Sequence, residues 1–138
     1  MPRLDAHHEI VKRALVKDGW EITDDPLVLV FKDIALYADI GAEKAIGAAK
    51  DGRKIAVEIK GFSNESKTDD LHHAKGQHDF YLFILRRTEP ERTLYLAVPD
   101  VVWNKFFQRP AVQEFMVAEQ VKFLVYNVEN EEVVEWKH

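Results

Sequence analysis

The sequence predicts an α/β fold with a mixed central sheet flanked by helices, in the order α-β-β-β-α-β at its core. Three observations carry this. A helix-period segment opens the chain, two strand-type runs flank the turn-forming pair Asp51-Gly52, and a long helical stretch leads into a strongly β-type run ending at Val98.

Each element has its own reason. Asp5 to Asp18 repeats apolar residues at helical spacing (Ile10, Val11, Ala14, Leu15), with Asp5 as the expected cap and Asp18-Gly19 as the stop. Leu27 to Phe31 is β-branched and aromatic, introduced by Asp25-Pro26, and Ala35 to Ile40 reads as a second extended run. Ala45 to Lys50 and Arg53 to Lys60 form a predicted hairpin around Asp51-Gly52, a pair that favours a two-residue turn. Alternation then sends Ile55, Val57 and Ile59 to one face and Ala56, Glu58 and Lys60 to the other.

Ser66 to Arg87 predicts a long helix, with Ser66 as cap and Asp69 three residues on. Leu71, Ala74, Gln77, His78, Tyr81 and Leu85 lie along one stripe of it. Arg92 to Val98 is the next strand. Asp100 is expected to cap a short aromatic helix holding Val102, Trp103, Phe106 and Phe107. A helix from Pro110 to Glu119 and closing strands at Val121–Val128 and Val133–Trp136 complete the reading.

Composition narrows the function classes. The 138 residues fit one domain spanning 1–138, with 46% hydrophobic and 31% charged residues, an ordinary globular balance. The absence of cysteine excludes disulfides, thiol catalysis and cysteine zinc sites, and is compatible with a reducing cytoplasm, the expected location. No apolar run is long enough for a membrane span, and no signal peptide is expected. The formal net charge of −5 argues against strong unaided DNA binding, since phosphate neutralisation supplies such affinity. It leaves room for a local basic groove or a partner that brings the charge.

The sharpest chemical feature is Val57-Glu58-Ile59-Lys60. Glu and Lys two apart on a strand share a face, and apolar neighbours place that strand in the interior. Upstream, Asp39 sits inside the apolar run Tyr37-Ala38-Asp39-Ile40. Two carboxylates brought together bind a hard divalent cation through oxygen, and the backbone carbonyl of Ile59 offers a third donor. A lysine beside them can polarise water or stabilise charge on a phosphate. The competing reading is a cross-strand ion pair on a solvated face, which is worth little energetically. Glu43 rivals Asp39 as the first acid. A two-residue turn at Asp51-Gly52 sets Glu43 opposite Lys60, and Asp39 reaches Glu58 only through a bend near Gly41.

His7-His8 and His72-His73 lack the i, i+4 spacing of a helical zinc pair. His8 shares a stripe with Val11 and Leu15 and reads as a packed or rim histidine. Trp103, Phe106 and Phe107 alternate with Lys105 and Arg109. That pattern suits base stacking, but more often such a stripe is core or a protein interface, and an interface is the favoured reading.

Asp39 followed by Glu58-Ile59-Lys60, on a helix-first three-strand unit with a helix behind it, resembles the PD-(D/E)xK nuclease superfamily and its restriction-endonuclease-like fold. Longer runs are similar to the XisH family, the fdxN-element excision controlling factors of cyanobacteria. They include Lys17-Asp18-Gly19-Trp20, Asp25-Pro26-Leu27, Asp39-Ile40-Gly41-Ala42-Glu43, Gly52 through Lys60, Arg87-Thr88-Glu89-Pro90-Glu91-Arg92 and Leu94 through Pro99. The resemblance implies a nuclease-like core with Asp39 and Glu58 on Mg²⁺ or Mn²⁺ and Lys60 as the catalytic cation. Glu9 of the first helix and Gln77 of the later helix are its implied assistants. It also implies programmed DNA excision in heterocysts, together with a recombinase and an XisI-type companion protein. Two functions remain open: a metal-dependent endonuclease, and a catalytically silent scaffold for those partners. A homodimer fits the general rule that oligomers are symmetric.

Overall fold

A computed structural model describes residues 4–36 and 45–138. Among these residues, six strands form one mixed sheet in the chain order first-fourth-fifth-sixth-seventh-eighth, and the second and third, both short, pair separately.

Helix α1 (Leu4–Lys17) buries Ile10, Val11, Ala14 and Leu15 on one face of the sheet. It begins at Leu4, one residue ahead of the expected Asp5 cap. Gly19, at φ 93°, turns the chain out of it. Strand β1 (Glu21–Leu27) follows, antiparallel to β4 (Ala45–Lys50). The sequence places this strand later, at Leu27–Phe31. β1 is an edge strand whose polar residues Thr23, Asp24 and Asp25 hide the usual β pattern, and an edge tolerates its Pro26. Val30–Phe31 (β2) and Ile34–Ala35 (β3) form a small hairpin of their own. Tyr37 to Ile40 of the expected Ala35–Ile40 run lie outside the described residues, and Leu36 is buried with its N–H donating to Leu29 O at 2.9 Å.

The predicted hairpin is present. Strand β5 (Arg53–Ile59) pairs with β4 around Asp51 (φ 50°) and Gly52 (φ 80°), the two left-handed positions that this turn requires. The register runs from Lys50↔Arg53 to Ala45↔Glu58. Chain α2 (Lys67–Thr88) then crosses back to β6 (Arg92–Pro99), which lies parallel to β5. Ser66 caps α2 by accepting from the Asp69 backbone N–H. Asp69 and Asp70 in the first turn and Arg86 and Arg87 in the last complement its dipole.

Helix α3 (Asp100–Lys105), a 3₁₀ turn (Phe106–Gln108) and helix α4 (Pro110–Ala118) lead to β7 (Phe123–Asn127), parallel to β6. The antiparallel edge strand β8 (Glu132–Lys137) closes the sheet. Asp100 is the first residue of α3 and not its cap, the N-cap being Pro99. Its carboxylate accepts instead from the Asn127 side chain at 2.9 Å.

The sheet separates two apolar layers. Ile55, Val57 and Ile59 pack with α1 residues, Tyr95, Leu124 and Tyr126 on one face. Ala56 packs with Tyr81, Ile84 and Leu85 of α2 on the other. Burying each of the three large β5 residues stabilises the fold by roughly 1.5–3 kcal/mol. Trp103, Phe106 and Phe107 are buried with Phe62, Met116 and Phe123. The aromatic stripe expected at an interface is therefore core, because a short helix and a 3₁₀ turn press all three rings onto β6 and β7. No described helix is long and apolar enough to cross a membrane.

Candidate functional site

Glu58 and Lys60 lie where β5 reaches its carboxyl end. Both point to the α2 face, opposite Ile59, as strand alternation requires. The backbone N–H of Lys60 donates to Ala97 O at 2.9 Å, so the ladder with β6 continues past the last strand residue and holds Lys60 in line with Glu58. Glu58 is 6% exposed and Lys60 5%. A solvated cross-strand pair would not be buried to this degree. Burying both charges at the end of a strand is costly unless partners satisfy them.

Helix α2 supplies the facing groups. Lys60 Nζ donates to Gln77 Oε1. One helical turn further, the Tyr81 phenol is buried. Burial first, and the nearby negative charge of Glu58 second, push its ionisation well above the ordinary tyrosine range. Gln77 and Tyr81 are four apart on one helix face, and Lys60 and Glu58 are two apart on one strand face. The antiparallel run of β5 against α2 matches these steps, setting Gln77 against Lys60 and Tyr81 within the field of Glu58. Tyr81 was not singled out from sequence, although its i+4 spacing from Gln77 is the signal that points to it.

On the α1 face, the His7 ring packs beside Gly61, directly after Lys60. A Cβ at Gly61 would stand 3.7 Å from His7 Nε2. His7 Nδ1 pairs with the Tyr126 hydroxyl at 2.7 Å, and burial lowers the imidazole pKa. The buried histidine of α1 is therefore His7. His8, expected to be a packed or rim histidine, is partly buried and pairs with Asp25 Oδ1 at 2.6 Å, while Lys12 holds Asp25 Oδ2 at 2.8 Å. Burial pushes the Asp25 carboxyl up, and the bonds from Lys12 and His8 outweigh it, leaving its pKa below the ordinary value.

Glu9 is exposed on α1. Its carboxylate shares a cluster with His8 and Asp25, the ligand atoms lying within 4.8 Å of one another. The structure thus joins Lys60 to Gln77, keeps Glu58 on the same face of β5, and groups Glu9 with His8 and Asp25. Asp39 and Glu43 lie outside the described residues.

The geometry defines a mixed α/β protein that buries an acid and a lysine side by side at the carboxyl end of a central strand. Residues 1–134 match the XisH protein family, and this chain belongs to it. The chain is also similar to two solved structures. One is described as an fdxN element excision controlling factor protein from Anabaena variabilis, 44% identical, covering 97% of this chain and 99% of that one, with a TM-score of 0.89. The other is described as an XisH family protein from Nostoc punctiforme PCC 73102, 43% identical, covering 97% and 100%, with a TM-score of 0.88. No curated protein matches the chain.

Proposed function

We propose that this chain is a controlling factor for programmed excision of a DNA element, built on a PD-(D/E)xK nuclease-type core that acts on the phosphodiester backbone. The observation that carries the reading is the joint burial of Glu58 and Lys60 on one face at the carboxyl end of β5, with Gln77 on the lysine. A buried acid–lysine pair held by a facing helix has a cost that ordinary surface chemistry does not explain.

In this reading Glu58 and Asp39, with Glu43 as the rival to Asp39, would hold Mg²⁺ or Mn²⁺ together with the carbonyl of Ile59. Such hard oxygen donors suit these ions. The bound ion supplies Lewis acidity and charge neutralisation at a phosphate. Lys60, oriented by Gln77, places its ammonium on the attacking water or a non-bridging oxygen. Glu9 of α1 would be an accessory acid in this reading.

The test is cleavage of supercoiled and linear DNA with Mg²⁺ or Mn²⁺, with and without an XisI-type companion. Activity in the wild type that Lys60→Ala removes supports the reading. Cleavage that survives Lys60→Ala contradicts it.

A second reading, a silent scaffold for a companion protein or recombinase, is favoured by the exposed ridge of α2. Phe80 and Phe83 are exposed, Phe31 meets Phe83 edge-on at 6.1 Å, and the Arg87 guanidinium lies 3.9 Å over the Phe83 ring. Aromatic residues with arginine are the composition of protein interfaces. Companion binding that Phe83→Ala removes, with Lys60→Ala silent in every assay, would select the scaffold.

A further inference from the structure

We propose that Lys67, Lys105 and Arg109 form a phosphate-backbone track that carries nucleic acid to the Glu58–Lys60 site. This deepens the proposed function and rests on that site handling phosphodiesters.

The three cations line one groove, whose other walls are Val101, Val102 and Phe106. Among the described residues no carboxylate lines it, in a chain whose net charge is −5. Among the described residues, none of the three cations has an ion-pair partner. By contrast, Lys12, Arg13, Lys75 and Arg92 are all spent on carboxylates. Lys67 Nζ donates only to a neutral carbonyl, that of Asn64. Asp70 accepts from Asn64, and Asp100 from Asn127. Lys105 and Arg109 are exposed, and Val101 is 61% exposed on the same wall.

The chain links the groove to the candidate site on two sides. Helix α3 starts at the end of β6, whose Ala97 carbonyl receives the Lys60 N–H. From Lys60 the chain runs through Phe62 to Lys67, and the Phe62 ring lies 6.3 Å from that of Phe106, the groove floor. A polyanion reaching from Lys60 into this groove would find Lys67, Lys105 and Arg109 on its walls, while the apolar wall accepts sugar faces. Acidic net charge argues against DNA binding only when the charge is spread evenly, and these three cations are segregated from it.

The test uses a short labelled DNA duplex, and its single strand, in fluorescence anisotropy with chelator present, so that metal and cleavage do not enter. Lys105 and Arg109 are surface residues without ion pairs, so Lys105→Glu/Arg109→Glu leaves folding intact, as circular dichroism checks. Wild type should bind with an affinity that falls steeply between about 50 and about 200 mM salt. The double variant should bind at least tenfold more weakly, with a salt slope smaller by about 2. Chelator keeps metal out of the measurement, so failure of the metal reading and failure of the track are separate results. Equal binding by wild type and the double variant overturns the track. So does absence of wild-type binding at low salt. Binding of polyglutamate, but not of DNA, through the same cations would assign the groove to an acidic protein and overturn it equally.

Discussion

Lys60 donates its ammonium to the side-chain oxygen of Gln77, joining the carboxyl end of β5 to the middle of α2. Gln77→Leu removes an acceptor from a buried cation. A hydrogen bond to a charged group is worth about 1.5–3 kcal/mol, and Gln77 is only partly buried, so the expected loss is about 1–2 kcal/mol in urea unfolding. Gln77→Glu, which keeps an acceptor, should recover most of it. Equal stability of Leu and wild type would remove Gln77 from the support of Lys60.

Tyr81 gives the opposite expectation. Its hydroxyl is buried without a hydrogen-bond partner among the described residues. Tyr81→Phe deletes a polar atom that was desolvated without return, so stability should stay level or rise by about 1 kcal/mol. A loss beyond that in thermal or urea unfolding would mean that the hydroxyl has a partner.

Arg92 gathers three elements at the start of β6. Its guanidinium donates to Glu89 at 2.7 Å, to Ile55 O at 2.9 Å and to Asp24 at 2.9 Å. Breaking a buried pair costs about 3–5 kcal/mol, and both carboxylates here are partly solvated, so Arg92→Ala should cost about 2–3 kcal/mol. Arg92→Lys should recover only part, because an ammonium cannot reproduce the planar fork. Full recovery in urea unfolding would show that charge alone matters.

Two histidines set the acid limb of stability. Burial lowers the pKa of His7 below its ordinary 6.5, and burial does the same for His78 against the pull of Asp79. Below pH 6.5 the unfolded chain then binds more protons than the folded one, so stability falls as pH drops through that value and is level above it. The lowered carboxyls of Asp25 and Asp79 act in the same direction only near and below 3.8, outside this window. The urea midpoint should decline from pH 6.5 to 5, and His78→Leu should flatten part of the decline. A midpoint that is constant across that range contradicts the assignment.

The legible parts of the sequence were those with a strong local cause. Asp51-Gly52 announced its turn, Ser66 its cap, and the alternation from Ile55 to Lys60 its two faces. Edge strand β1 was displaced because solvent-facing Thr23, Asp24 and Asp25 carry no β signal. Trp103, Phe106 and Phe107 were misread because short aromatic helices look alike whether they face a sheet or a partner. Of the candidate site, the shared face of Glu58 and Lys60 followed from strand alternation, while Gln77 lay on the predicted stripe of its helix and owed its role to the family resemblance. The places of Tyr81 and His7 depend on which element packs against β5, and that is set by tertiary contacts rather than by any local pattern.

The most direct measurement is a calorimetric titration of Mn²⁺ and Mg²⁺ into the wild type and Glu58→Gln, with thermal unfolding at each metal concentration. The account predicts one saturable site in the wild type, a matching rise in Tm as ligand linkage requires, and loss of both in Glu58→Gln with the fold retained. No saturable binding by the wild type, or the same isotherm in Glu58→Gln, would contradict it.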